Sequence, residues 1–351
     1  MTLSPISIRR SIKRRGTRRV PPLPLDRRRR RDALRIGLVN NMPDAALRST
    51  ERQFRDLLAS AAGERAVELK LFSFPELARS ADGQSHVREH HEPIERLWDG
   101  EFDGLIVTGT APLSAAMEEE PCWPTLTRLV DWAERHTAST IWSCLAAHAA
   151  VRHLDGIERR PLGGKLSGVF ACERTSSHPL LGFGPSRWRT PHSRYNDLPE
   201  AALVGHGYRI LSRSPEAGVD IFIKQRDSLF VFLQGHPEYD AGALYREYRC
   251  DVSRFLGGDS DAYPQMPVGY LSDDVVAAMQ AFRDRAFIER DPELLAVFPT
   301  GPAIHAPWRH TAVALFANWL THLGAQHSRR FGWPGSALPF GAERRFTPTY
   351  A

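Results

Sequence analysis

Several features that would place a chain quickly are missing from this one of 351 residues. Its only cysteines are Cys122, Cys144, Cys172 and Cys250. Their wide, irregular spacing supports neither a disulfide framework nor a Cys-x-x-Cys zinc pattern, so no metal site is expected. A reducing, cytoplasmic setting fits such usage. No apolar run approaches the roughly 20 residues of a membrane span. There is no Gly-x-Gly-x-x-Gly or Walker-type phosphate loop, and no internal repeat. With 42% hydrophobic and 25% charged residues, what remains is an ordinary soluble globular composition.

The net charge of +5 is unevenly distributed. Met1 to Arg31 carries twelve basic residues against one acid, Asp26, a net of +11, which leaves the rest of the chain at −6. High basicity therefore says nothing about a nucleic-acid groove in the folded part. Residues 1–33, Arg-rich and interrupted by Pro21, Pro22 and Pro24, are expected to form a disordered arm. The arm has no apolar core of a secretory or twin-arginine signal, and it is the one place where nucleic acid or an anionic surface could be held. Residues 34–326 read as a single α/β domain and 327–351 as an irregular tail.

Within that domain one stretch stands out. Ser139-Thr140-Ile141-Trp142-Ser143 is a short β-branched and aromatic run, and the alanine-rich sequence after Cys144 has no helix breaker until past Arg152. This pattern predicts a strand turning directly into a helix, with Cys144 at the turn. A thiol there meets the unpaired N–H groups and the positive dipole end of the helix, which favour thiolate. Free cysteines are most often buried and inert, so Cys144 alone proves little. A second segment strengthens it. Leu229-Phe230-Val231-Phe232-Leu233-Gln234 reads as a core strand ending at Gly235, followed by His236-Pro237-Glu238. Residues two apart in an extended, Pro-containing segment project to one side. His236 can face the thiol while Glu238 orients it, the logic of a nucleophile, base and orienter.

The other elements set these two strand ends in a frame. Arg35 to Asn41 reads as a first strand and Val67 to Phe74 as a second. Phe102 to Gly109 is a third, with helices opening near Ser49 and at Trp123. Such alternation predicts parallel βαβ units in a doubly wound, mostly parallel, flavodoxin-like sheet with helices on both faces and sites at the carboxyl ends of strands. The middle, with strands around Lys165, Pro191 and Gly218, is less regular and partly antiparallel. Helices follow at Gly242 to Phe255 and Thr311 to Leu323. His86, His90 and His91 with Glu89 and Glu92 read as a solvated helix face rather than a metal cluster. His148, one turn past Cys144, is placed either at the site or against the sheet. Trp308-Arg309-His310 reads as structural support, and Cys122 and Cys172 receive no role.

Taken in order, a set of motifs resembles the homoserine O-acyltransferase (homoserine O-succinyltransferase) family of methionine biosynthesis. They are Met42-Pro43, Thr50-Glu51-x-Gln53-Phe54, Phe102 to Gly109, Cys144, Lys165-Leu166-Ser167-Gly168-Val169, Pro191-His192-Ser193-Arg194-Tyr195, Gly235 to Asp240 and Phe316-Ala317-Asn318-Trp319-Leu320. The resemblance covers about Arg35 to Gln326. It implies a fold similar to class I glutamine amidotransferases and a ping-pong reaction with acyl-CoA, succinyl-CoA or acetyl-CoA, as co-substrate, with no bound cofactor. By that likeness Cys144 is the acyl-thioester nucleophile, His236 the general acid/base and Glu238 the third member. Lys165, Ser193 and Arg249 would contact substrate, and Leu113 or Ser114 falls where the family selects its acyl donor, depending on where the extra Thr110 is placed. A homodimer is the expected assembly.

Departures from the family's pattern bear on substrate. Asp44-Ala45-Ala46 stands where the family usually has lysines, so a positive charge near the site is lost. Cys250 stands where an arginine normally holds the amino-acid carboxylate, and a shift of one residue turns a helical side chain by about 100°, so Arg249 is not an automatic substitute. Homoserine is the default acceptor, with serine or another hydroxy amino acid as the alternative. A glutamine amidotransferase or thiol hydrolase on the same fold is a further alternative, disfavoured because such elbows usually carry glycine and glutamine where Ala146 and His148 stand. A non-catalytic family member is another, against which the retention of Cys144, His236 and Glu238 together argues.

Overall fold

The computed structural model describes residues 33–330, apart from 111, 113, 115, 183 and 301–305. Leu113, the expected arm up to residue 32 and residues 331–351 lie outside the described residues. In chain order the strands are β1 (Leu34–Val39), β2 (Val67–Phe72), β3 (Gly104–Val107), β4 (Ser139–Ser143), β5 (Arg160–Arg174), β6 (Arg187–Asp197), β7 (Arg209–Ser214), β8 (Gly218–Gln225) and β9 (Leu229–Leu233). The helices are α1 (Asp44–Ala62), α2 (Ala81–His90), α3 (Glu95–Trp98), α4 (Trp123–His136), α5 (Leu145–Asp155), α6 (Glu200–Gly205), α7 (Ala243–Leu256), α8 (Asp273–Glu289) and α9 (Arg309–Arg330).

Among the described residues one nine-stranded sheet runs β2-β1-β3-β4-β9-β8-β7-β5-β6. The ladders from β2 to β9 are parallel, and those from β9 through β8, β7 and β5 to β6 are antiparallel. Every residue of β3, β4 and β9 is buried, which matches their unbroken apolar runs, since helices cover both faces of a parallel sheet. Alternate residues go to opposite sides. Ile36, Leu38, Ile106, Ile141 and Val231 join Phe54, Phe316 and Trp319 of α1 and α9. Val39, Leu105, Val107, Trp142 and Phe232 join Leu129, Val130, Ala146 and Ala150 of α4 and α5. A polar tie crosses the first interface: Trp319 Nε1 donates to Ser139 Oγ at 3.0 Å, and Ser139 Oγ donates to the Leu229 carbonyl at 2.6 Å. The helical cover on both faces is that of a doubly wound α/β fold.

Two elements differ from expectation. Helix α9 continues to Arg330, past the boundary placed at Gln326. Helix α8 had no counterpart in the sequence reading, because only Met279, Phe282 and Ala286 are buried along it while Phe287 and Ile288 are exposed, which blurs its period. It packs with Tyr248, Val252 and Phe255 of α7 as a separate small core.

Candidate active site

Strand β4 delivers Cys144 and β9 delivers His236, side by side at the carboxyl ends of neighbouring parallel strands. Cys144 caps α5 with φ 52° and ψ −115°, a conformation that L residues rarely adopt. It is pinned on both sides. Its N–H donates to the Leu233 carbonyl at 2.7 Å, and its carbonyl accepts from Ala147 N at 2.9 Å and His148 N at 3.2 Å. The sharp turn lifts the side chain out of the sheet, so Cys144 is partly exposed although Ser143 and Ala146 beside it are buried. Gly109, at the end of β3, closes on the same turn. A Cβ there would stand 3.0 Å from Leu145 N and 2.9 Å from Leu145 Cβ, so only glycine brings that backbone against the helix start.

His236 and Glu238 are both buried, and His236 Nδ1 meets Glu238 Oε1 at 2.8 Å. The other carboxylate oxygen, Oε2, is buried with no hydrogen-bond partner among the described residues, so the charge of Glu238 rests largely on His236. Burial by itself would depress the His236 imidazole. The Glu238 carboxylate and a hydrogen bond with Cys144 outweigh it and hold His236 well above its ordinary value. The ring stacks on Tyr239 at 4.3 Å, and the His236 N–H donates to the Pro191 carbonyl at 2.7 Å. Gly235 is again a matter of space: a Cβ would meet Thr190 Cγ2 at 2.5 Å and Asp220 Oδ1 at 2.7 Å.

The next wall comes from β5, β6 and α7. The Ser193 carbonyl lies 4.0 Å from Cys144 Sγ, and Ser193 Oγ donates to Glu247. Tyr239 also donates to Glu247 through its hydroxyl. Lys165 Nζ reaches Asp251 at 2.6 Å and Glu247 at 3.5 Å. Burial disfavours its charge, but the two carboxylates prevail and hold its ammonium above the ordinary lysine range. Lys165 and Ser193 thus meet at Glu247, beside Cys144 and His236, a residue the sequence reading did not single out.

Arg249 does not join them. It sits two residues from both Glu247 and Asp251, about 200° around α7, and is exposed. The expected substrate contact at Arg249 thus stands apart from the Lys165, Ser193 and Glu247 group. Cys250, in contrast, lies within about 60° of Glu247 on the helix and is exposed. Ser114 lies in a loop tied to Glu119 and Glu120, with Arg159 Nη2 at 3.4 Å from its carbonyl. Beside that loop a small apolar cavity is lined by Thr108, Gly109, Thr110, Met117, Leu145 and Ala146.

Several remaining expectations are refined. Asp44 accepts from Ser80 N at 2.7 Å and from Arg79 Nη1 at 3.1 Å, and the Ser80 bonds, with Arg79, hold its carboxyl below the usual range despite burial. His148 packs against the sheet, buried, with Nε2 3.0 Å from Gln234 Oε1, and burial pushes it down to about 4. The Cys122 thiol is pushed up to about 11 by burial, and Cys172 higher still, consistent with inert cysteines. The histidine cluster is not one solvated face. His86 and His91 are buried and both reach Glu51, at 2.9 Å, while His90 and Glu89 are exposed. Glu51 lies a helix and a strand earlier in the chain, so no local pattern could reveal the pairing. These three side chains could in principle ligate a cation. His86 Nδ1, however, faces the Arg48 Nε–H at 3.2 Å, where a metal-bound histidine would need an acceptor, so the geometry is that of a carboxylate accepting two N–H bonds. Among the described residues no helix is long and apolar enough to cross a membrane.

Residues 25–330 match the homoserine O-succinyltransferase family profile. A homoserine O-succinyltransferase of Rhodopseudomonas palustris is 49% identical over 84% of this chain and 89% of its own length. One from Methylorubrum extorquens is 47% identical over 85% and 88%. Among solved structures, a glutamine amidotransferase from Thermotoga maritima aligns with a TM-score of 0.46 at 15% identity, over 83% of this chain and 98% of that one. On the extent and identity of these sequence matches, the chain belongs to the homoserine O-succinyltransferase family and is an acyltransferase.

Proposed function

We propose that the protein moves a succinyl group from succinyl-CoA to the hydroxyl of homoserine through a thioester on Cys144. The observation that carries this reading is the coupling of Cys144, His236 and Glu238 at adjoining strand ends. The thiol gives its proton to His236, and the sulfur attacks the thioester carbonyl of the donor. Glu238 offsets the buried imidazolium charge. The N–H groups that open α5, which have no partner within the helix, would receive the developing oxyanion. Coenzyme A leaves as its thiol, taking the proton from His236.

In the second half-reaction the acceptor hydroxyl loses its proton to His236 and attacks the Cys144 thioester, and the sulfur leaves as the thiol. The apolar cavity lined by Thr108, Gly109, Thr110 and Met117 against Leu145 and Ala146 of α5 suits the methylene chain of the acyl group. Its lining does not separate succinyl from acetyl, so acetyl-CoA is the donor to compare. The direct test is release of coenzyme A thiol from succinyl-CoA that depends on homoserine, measured beside a Cys144→Ser variant. Turnover that persists in the variant, or release that is insensitive to acceptor, would refute the reading.

A further inference from the structure

One residue before His236, the Gly235 backbone packs on a group of side chains that acyl transfer does not use. A Cβ at Gly235 would stand 2.7 Å from Asp220 Oδ1 and 3.0 Å from His192 Nε2. Together with Cys172, these side chains come from β8, β6 and β5, and all three residues are at most 1% exposed. Their donor atoms lie within 4.8 Å of one another. Neither ring nitrogen of His192 has a hydrogen-bond partner among the described residues. Its Nε2 is 3.4 Å from Asp220 Oδ1 but is not aligned for a hydrogen bond. A buried imidazole with both nitrogens unmet is costly, so the group calls for a partner. Arg194, two residues on from His192, does not supply one, because it is held by Asp197 at 3.4 Å and the Asn196 carbonyl at 2.9 Å.

The donors suit a divalent cation. Two tetrahedral ligands, each about 2.0 Å from zinc, stand about 3.3 Å apart, close to the 3.4 Å between His192 and Asp220. Donors no more than 4.8 Å apart share a point within about 2.8 Å of each, and small side-chain rotations bring that to the roughly 2.0–2.3 Å of zinc bonds. A thiolate beside an imidazole and a carboxylate favours zinc over magnesium or calcium, which take oxygen ligands. The thiolate and carboxylate together cancel the charge of a dication, so the loaded group is neutral in the core. Asp220 Oδ2 accepts from Ser212 Oγ at 2.8 Å, the kind of outer contact that orients a ligating carboxylate. A cavity lined by Trp188, Thr190, Asp220 and Pro237 offers the ion a way in and a water as fourth ligand. Glu51, His86 and His91 differ, because their facing atoms are already hydrogen-bonded at 2.9 Å.

We propose that Cys172, His192 and Asp220 bind one zinc ion, which ties β5, β6 and β8 together against the Gly235–His236 turn. On loading, the Cys172 sulfur–hydrogen bond breaks, the sulfur bonds the zinc and the proton leaves to solvent, with nothing oxidised or reduced. The ion is structural: it takes no part in acyl transfer and braces the backbone from which His236 projects. The three donors are far apart in sequence, which is why cysteine spacing alone predicted no metal site.

The experiment purifies the full-length protein from cells grown with added zinc, or with cobalt in its place, and measures bound metal by plasma mass spectrometry after passage over a chelating resin. Expected is one zinc per native chain and its loss in Cys172→Ser. The cobalt-loaded native protein should show thiolate-to-cobalt charge-transfer absorption and the visible bands of a tetrahedral site, and Cys172→Ser should show neither. His86→Gln, which alters the other histidine cluster, should keep its metal. Refolding without metal should lower the melting temperature, and refolding with zinc should restore it. A native protein that carries no more zinc than Cys172→Ser, and gives no cobalt–thiolate absorption after refolding with cobalt, would overturn the inference. So would metal kept in Cys172→Ser, or kept there and lost in His86→Gln. Where Cys172→Ser does not fold, the nearly isosteric Asp220→Asn takes its place, and native zinc content with an unchanged cobalt spectrum in that variant would likewise overturn it.

Discussion

Replacing Glu238 with glutamine should slow acyl transfer by about 10²–10³-fold, and the fold contains its own reference for that figure. His148 is a buried imidazole whose partner is the neutral amide of Gln234, and its value is pushed down to about 4 from an ordinary 6.5. His236 is just as buried but faces a carboxylate at 2.8 Å, and it lies well above the ordinary value. Glu238→Gln would give His236 the surroundings of His148. At 1.36 kcal/mol per pH unit, the fall from 6.5 to about 4 alone makes the imidazolium about 3 kcal/mol harder to form, which is a factor of about 10²–10³ in rate. Two readouts check it: kcat/KM from coenzyme A thiol release, and the pH dependence of Cys144 alkylation by iodoacetamide. The native profile should reflect a thiol coupled to His236, and that feature should vanish in the variant. A Glu238→Gln enzyme within tenfold of native activity, with an unchanged alkylation profile, would refute the reasoning.

Three further outcomes are expected. The left-handed backbone at Cys144 stores about 1–3 kcal/mol that only glycine relieves, so Cys144→Gly should melt higher than Cys144→Ala although both lack transfer activity; equal melting temperatures would contradict the strain. Because His148 stays neutral in the fold down to about 4 while the unfolded chain takes up its proton near 6.5, its contribution is complete above 6.5 and is lost as pH falls between those values, by about 3 kcal/mol. Denaturant unfolding between pH 7 and 4 should show that slope in the native protein and a shallower one in His148→Gln. Gly235→Ala should cost about 1–3 kcal/mol of stability, because its Cβ would meet Thr190 at 2.5 Å. It should also lower kcat by displacing the His236 backbone, as thermal melts and kinetics together would register.

The place of Cys144 at a strand-to-helix turn was legible because a fully buried strand must end somewhere, and the switch from Ser139–Ser143 to an alanine-rich helix marks the spot. His236 and Glu238 were legible by the same logic at the end of β9. The parallel half of the sheet followed from continuous apolar runs. The antiparallel half was read only in part, since β5 is long and exposed along much of its first half. What escaped depends on contacts between distant segments. Glu51 meets His86 and His91 from another helix, and Cys172, His192 and Asp220 form a buried cluster drawn from three strands. Arg249, one residue from Cys250 in sequence, lies on a different face of α7 from Glu247, as the helical period already implied. Glu247, one turn before Asp251, instead ties Ser193 and Tyr239 together, a set of contacts between distant segments that no local pattern marks.

The central claim is the covalent intermediate, and intact-protein mass spectrometry tests it most directly. After mixing with succinyl-CoA, the native protein should gain one succinyl mass, Cys144→Ala should gain none, and addition of homoserine should discharge the adduct. Transfer to homoserine with no adduct on Cys144, or an adduct of equal extent in Cys144→Ala, would contradict the account.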